Sequence, residues 1–472
     1  MYFTRSPENP IPLPKTRNQT LESAQILPFI PALMLRISLT RDQALEIFET
    51  TFALAGIFFF AKGFAEMGAI NSLARYGIFL MSCILLAMRW QMVVYTLSGD
   101  IPLLFLHGVV FCSFAWSDLP DITQLEVREI LYMYSFALYM ATRFSLREQL
   151  IFLSWGLEIA ALMSAFYAIA LPADGLHHDK FAGAWKGIYP QKNELSTMMT
   201  MSCAAHLPLI FDSKYNRIWA AGGLAFSLFV ILMTTSKSGL IIFFVLVIAL
   251  FLARTIRWRN LVMVMIFSTL IGLSIPGGIV FITNWDPIMI GLGRDPTLTG
   301  RTDIWGYALG RIAERPWLGY GRGVFWSKRS KYPGEAGIAV MGAPPVNLLS
   351  GAYAPPHSHN GVVDILLEVG YVGLGLFLLS FLIMLMRLGK RIYVTNTPEE
   401  FFPVVFLTFF LMYNFTESLM MRGENLFWVY YTVLAYSMRL GGQEPINEPR
   451  LIPPKERSPF LGERPKALPR GR

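Results

Sequence analysis

The chain reads His357-Ser358-His359-Asn360 late in its length, and these two histidines are among only six in 472 residues. An imidazole is the side chain best matched to proton transfer near neutral pH. His359 is therefore a candidate catalytic base, and His357 is either a secondary member of the site or a cap or surface imidazole. Asn360, Asp364 and Glu368 follow at intervals of four, which puts them on one face of an otherwise apolar helix. A polar stripe of that kind turns toward the interior of a bundle, away from lipid. His357-x-His359 would also suit zinc, but no cysteine lies near it and the other histidine cluster is His177-His178. No metal or other cofactor is expected.

Three further clusters carry cations, two where apolar runs begin or end and one in the long loop between 284 and 358. Lys186-Gly187-Ile188-Tyr189-Pro190-Gln191-Lys192-Asn193-Glu194 reads by itself as a solvated loop with a helix start at Asn193. Thr234-Thr235-Ser236-Lys237-Ser238-Gly239 packs a lysine among hydroxyls in a tight link between two strongly apolar runs. Lys237 there either snorkels to set depth or joins the N–H groups of a helix start to hold an anion, and the second is the preferred reading. Gly300-Arg301-Thr302-Asp303 has a helix-capping pair beside an arginine, so two sources of positive potential converge on a spot suited to a phosphate. Arg294 and Arg322 could add to it. Lys186, Lys192, Lys237, Arg301 and Arg422 together make a cationic rim, and the simplest reason to keep cations there is an anionic lipid-linked ligand.

The elements that must position these groups are membrane helices. Hydrophobic residues make up 54% of the chain and charged ones 15%, too apolar for a soluble domain. The predicted fold class is all-α, a polytopic membrane protein. Apolar runs fall near 44–61, 74–90, 101–116, 129–141, 150–171, 194–211, 218–235, 238–253, 261–282, 360–386, 401–418 and 425–440. That is about twelve spans at roughly 20 residues each, with some shorter. The run at 129–141 is short, and 218–235 and 238–253 are joined by almost nothing, so eleven is the alternative.

The chain opens without a cleavable signal, since its first 41 residues are polar and Pro-rich, and the expected N-terminus is cytoplasmic. Arg89, Arg143, Arg147, Lys214, Arg217, Arg254, Arg257, Arg259, Arg387, Lys390 and Arg391 then fall in inner loops, while the loop at 117–128 is acidic. This is the positive-inside pattern. It also accounts for the net charge of +8 without nucleic acid as a partner. Cys83, Cys112 and Cys203 all lie in apolar runs, so no structural disulfide is expected.

The expected organisation is a cytoplasmic segment at 1–43, nine spans over 44–283, a large outer loop at 284–358, three spans over 359–440, and a disordered cytoplasmic tail at 441–472. The loop is rich in Trp and Tyr, and Ile304, Ala308 and Ile312 share a face, which predicts a short surface helix after Thr302. All four polar clusters fall on the outer side under this topology, although the topology was set by other residues.

At these positions the chain resembles the O-antigen ligase and Wzy-type polymerase superfamily, in its exopolysaccharide polymerase branch. The matching pieces are Lys192-Asn193, Thr235-Ser236-Lys237-Ser238-Gly239-Leu240, Gly300-Arg301-Thr302-Asp303-Ile304-Trp305, His357-Ser358-His359-Asn360-Gly361 running into Leu366-Leu367-Glu368-Val369-Gly370, and Asn414-Phe415-Thr416-Glu417-Ser418. Each piece is weak alone; their order around one large outer loop is fairly specific. The resemblance implies a GT-C-like bundle with one large periplasmic loop in the bacterial inner membrane, both termini cytoplasmic and the active site facing the periplasm. It implies metal-independent, inverting glycosyl transfer from an undecaprenyl-pyrophosphate-linked oligosaccharide. His359 would activate the acceptor hydroxyl, and Lys237 and Arg301, supported by Lys192 and Lys186, would hold the pyrophosphate. Lys237 is a departure, since many members have an arginine there and a lysine lacks the forked contact. Asp303 and Glu417 are secondary candidates for orienting the acceptor or the cations, as are His357, Asn360 and Arg422 at the same rim.

The local motifs favour a polymerase of repeat units over a ligase that transfers the glycan to the lipid A core. Other partners on this reading are membrane lipid, a chain-length regulator and a flippase. The rival from another class is a secondary transporter or lipid flippase. Transporters show related halves with broken helices near mid-depth, whereas here the halves look unlike and the polar groups gather at one rim.

Overall fold

The computed structural model describes residues 40–65, 67–179, 181–255, 301–341, 354–394, 397–415 and 417–438. The expected run at 261–282, Arg257, Arg259, Arg294, Gly300, Thr416, the tail from 441 and most of the N-terminal segment lie outside the described residues.

Among the described residues the structure is helical, apart from one isolated antiparallel bridge between Leu176 and Trp185. The first helices are α1 (Arg41–Phe60), α2 (Gly68–Met88), α3 (Trp90–Leu97), α4 (Ile101–Cys112), α5 (Pro120–Arg143) and α6 (Leu146–Ala170). A short turn, α7 (Pro172–Gly175), precedes α8 (Lys192–Leu209), α9 (Arg217–Met233) and α10 (Lys237–Thr255). Two helices follow in the expected large loop, α11 (Arg301–Glu314) and α12 (Tyr332–Met341), and then α13 (Gly361–Val394), α14 (Pro398–Asn414) and α15 (Leu426–Ser437).

Every apolar run that falls in the described residues coincides with helix. Five helices, α1, α2, α6, α10 and α13, are long and apolar enough to cross a membrane, and a sixth span results if α3 and α4, bent by 101°, count as one. This is a multi-pass helical membrane protein, with fewer spans meeting that test among the described residues than the expected twelve. Two of the helices below the threshold, α8 and α15, are not surface pieces. From Leu195 to Leu209 every residue of α8 is buried, as is Leu426 to Tyr436 in α15. They form the centre of the bundle, where a helix hides all its faces. Around them α2, α9 and α10 turn Leu73, Leu80, Ile218, Ile241 and Phe251 outward, as a lipid-facing shell does.

Basic residues assigned to inner loops bind helices together at their shared end. Fully buried Glu49 of α1 is clamped by Arg89 at 2.6 Å and by Arg143. Arg147 meets Asp212 and Arg391 meets Glu400 at 2.9 and 2.8 Å. The acidic stretch at 117–128, expected as loop, is mostly the first turns of α5, which starts at Pro120. Its carboxylates hold the chain around α11 and α12: Asp118 takes Arg315 at 2.8 Å and the Tyr332 hydroxyl at 3.0 Å, Asp121 takes Arg329, and Glu126 takes Arg322 at 3.3 Å.

The predicted surface helix is α11, with Ile304, Ala308 and Ile312 buried on one face. Its following segment reaches into a break in α13. Gly370 leaves the helical region at φ 65°, and the freed backbone groups pair with that segment. Tyr320 and Gly321 N–H donate to the Leu367 and Glu368 carbonyls at 2.8 and 3.0 Å, while Tyr371 and Val372 N–H donate to Pro316 and Trp317 at 2.7 and 3.1 Å. Irregular backbone within a membrane span is tolerated only where protein satisfies it, and here residues 316–321 do so. Arg322, buried beside them, pairs with Glu368 of the polar stripe.

Candidate functional site

The chain before α13 carries the histidines. Asn360 caps that helix, its side-chain oxygen accepting from Val362 and Val363 N–H at 3.0 and 3.3 Å. This leaves His359 just outside the helix in the left-handed region, at φ 57°, a conformation uncommon for a residue with a Cβ and one that its surroundings must hold. The two imidazoles lie against each other with ring centroids 4.0 Å apart. His357 Nδ1 accepts the His359 backbone N–H at 3.1 Å, so its proton sits on Nε2. Burial first, and then the charges of Arg422, His359, Arg301 and Lys62, push the His357 pKa down to about 2. His357 is thus a neutral group.

After α14 the chain turns, with Asn414 accepting Leu419 N–H at 3.1 Å, and this brings Glu417 to His359. Gly361 permits the approach: a Cβ there would lie 2.1 Å from the Asn414 side-chain oxygen. Glu417 Oε2 is 3.2 Å from His359 Nδ1. A carboxylate can only accept, so Nδ1 carries the proton and Nε2 presents a free lone pair. The other carboxylate oxygen lies 3.8 Å from the Arg301 guanidinium at the start of α11. That helix is fixed to the histidine segment by Trp305, whose Nε1 donates to the Ser358 carbonyl at 2.8 Å. Asp303 sits in its first turn, and Arg422 is exposed in the turn before α15.

The remaining predicted cations sit around the start of α8. Lys192 Nζ donates to Thr235 Oγ1 at 3.0 Å and lies 3.9 Å over the Phe181 ring. Lys237, exposed, opens α10 two residues later than Thr235. Lys186 is held through its backbone to the Gly175 carbonyl at 2.9 Å, and among the described residues no contact joins it to the histidine group. His177 Nε2 accepts the Lys192 backbone N–H at 3.0 Å.

Lys62, which composition and spacing did not single out, connects the two groups. It follows α1 at φ 63°, pairs with Glu194 of α8 at 3.1 Å, and its charge reaches His357. Nothing near Lys62 in the sequence marks it, because both partners come from distant helix ends. His357, His359 and Glu417 offer ligand atoms within 4.8 Å of one another and could hold a metal ion. The surrounding charge disfavours it, since Arg301, Arg422 and Lys62 act on the same spot. An imidazole nitrogen beside a group of cations is chemically suited to displacement of a negatively charged leaving group.

Comparison with known proteins bears on the same stretch. Residues 222–378 match the family model described as O-antigen ligase. By that match this segment is similar to the O-antigen ligase family. It holds Lys237, Arg301, His357, His359 and Asn360, while Glu417 and Arg422 reach its site from outside. The chain is also 23% identical over 349 residues to the exopolysaccharide production protein ExoQ of Rhizobium meliloti (strain 1021). That match covers 72% of this chain and 76% of the relative.

Proposed function

We propose that the protein is a polysaccharide polymerase that joins undecaprenyl-pyrophosphate-linked oligosaccharide repeat units at the periplasmic face of the bacterial inner membrane. The acceptor sugar hydroxyl gives its proton to His359 Nε2, and its oxygen forms a bond to the anomeric carbon of the donor from the opposite side. The bond from that carbon to the pyrophosphate breaks, and the lipid diphosphate leaves with the electron pair. Arg301, Lys237 and Lys192, with Arg422 and Lys62 nearby, stabilise the charge that gathers on it, the part a divalent cation plays elsewhere. Glu417 holds the tautomer of His359, and Lys186 stands at the edge of the donor path. The termini lie in the cytoplasm on this reading, with Arg89, Arg143 and Arg147 on that side, and a chain-length regulator and a flippase are the expected partners.

The observation that carries the reading is the Glu417–His359 contact at 3.2 Å with Arg301 on the same carboxylate. Exopolysaccharide production by the relative, whose match spans more of the chain than the ligase model does, favours polymerase. The family model favours transfer of a lipid-linked glycan to the lipid A core as the second reading. The full chain, purified and reconstituted with a synthetic undecaprenyl-pyrophosphate oligosaccharide, should yield products of two or more repeats still on the lipid. Elongation only when lipid A core is supplied would make it a ligase, and movement of the lipid without new glycosidic bonds would make it a flippase.

A further inference from the structure

The proposed reaction requires His359 and Glu417 to meet, yet they sit 58 residues apart in the chain on separate segments. Resting on that reading, we propose that Asp364 is the positioning residue that holds this pair in register. Its carboxylate is buried one turn into α13 and grips both segments at once. Oδ1 accepts the Ser358 backbone N–H at 3.2 Å, and Oδ2 accepts the Ser418 hydroxyl. Ser358 immediately precedes His359, and Ser418 immediately follows Glu417.

A third donor, Trp326 Nε1, reaches Oδ1 at 2.8 Å and ties in the segment between α11 and α12. Ser358 extends the hold: its hydroxyl accepts Asn360 N–H at 3.1 Å and donates to the Asn360 carbonyl at 2.8 Å. His359 is thereby bracketed on both sides in its left-handed conformation. Among the described residues no lysine or arginine pairs with Asp364, and these three hydrogen bonds occupy its buried side-chain oxygens. A carboxylate is the one small side chain that accepts from three donors in different directions. Without it the segments could drift, and a shift of about 1 Å in a catalytic group can cost 100-fold in rate.

The test uses the reconstituted full chain and a synthetic undecaprenyl-pyrophosphate oligosaccharide. Asp364→Asn keeps one acceptor oxygen, and Ser418→Ala removes a single arm while leaving both members of the pair. Each should lower kcat by about 10- to 100-fold at unchanged donor KM. Asp364→Ala should be worse than Asp364→Asn, and Asp364→Asn with Ser418→Ala no worse than Asp364→Asn alone. Ser418→Ala changes only one hydroxyl, so it decides the matter if the aspartate variants do not fold. Wild-type kcat in the variants that fold, a loss confined to KM, or losses that multiply would overturn the inference. His359→Ala in the same assay separates the two levels. Wild-type elongation in that variant would remove the role of His359 on which the inference rests, and no elongation by the unaltered chain would remove the polymerase reading, whereas inactive His359→Ala beside fully active Ser418→Ala would remove only the role of Asp364.

Discussion

Glu417 lies 3.2 Å from Nδ1 of His359, so the ring nitrogen left free to act is Nε2. Glu417→Ala, losing both the acceptor and the charge that face the ring, should lower the elongation rate by about 100-fold or more. Glu417→Gln, which can still accept from Nδ1, should retain more activity. Steady-state kcat of the two variants checks the order, and rates equal to that of the unaltered protein would mean that the carboxylate does nothing for the histidine.

Arg301 stands at the start of α11 on the other oxygen of the same carboxylate. Arg301→Ala should raise the donor KM and lower kcat, together costing about tenfold to 100-fold, because a charge-assisted contact to a diphosphate is lost. Arg301→Lys should recover only part of this, since an ammonium cannot make the forked contact. The ratio kcat/KM for donor, measured at one ionic strength, reports both.

His357 predicts a pH effect on stability. Folded, it is held neutral down to about 2; unfolded, it titrates near its ordinary 6.5. Below 6.5 the unfolded chain therefore binds a proton that the folded chain refuses. The contribution is constant above that pH, and stability falls by up to about 1.4 kcal/mol for each unit below it. His357→Gln has no such proton to gain. Its thermal midpoint in detergent should drop less between pH 7 and pH 5 than that of the wild type.

Gly370→Ala should weaken the junction between α13 and the segment after α11. The residue sits at φ 65°, and a Cβ would fall 2.3 Å from the Trp317 backbone, so the inserted segment must move. Loss of order 2 kcal/mol or more follows from strain and broken pairing. A lower thermal midpoint, with faster proteolysis between 316 and 331, would register it.

Much of this architecture was legible in the residues alone. Ile304, Ala308 and Ile312 mark α11 because a surface helix advertises itself by period, His359 and Glu417 stand out as polar groups at the ends of apolar runs, and Arg301 as a cation beside a helix start in the long loop. The start of α5 did not show, since its first turns are polar and read as loop. Their polarity serves arginines of the loop segment, which no local pattern reveals. Lys62 with Glu194, Asp364 with Ser418, and the break at Gly370 were hidden for the same reason: each depends on a partner far away in sequence, and spacing records only neighbours. Among the described residues fewer helices qualify as spans by themselves than the expected twelve, because α8, α14 and α15 are buried by protein more than by lipid.

The most direct measurement is the rate at which purified, reconstituted His359→Ala extends a synthetic undecaprenyl-pyrophosphate oligosaccharide, taken beside its thermal midpoint. The expected result is a wild-type midpoint with no product longer than the supplied repeat. Elongation at the wild-type rate would contradict a mechanism in which this imidazole takes the acceptor's proton.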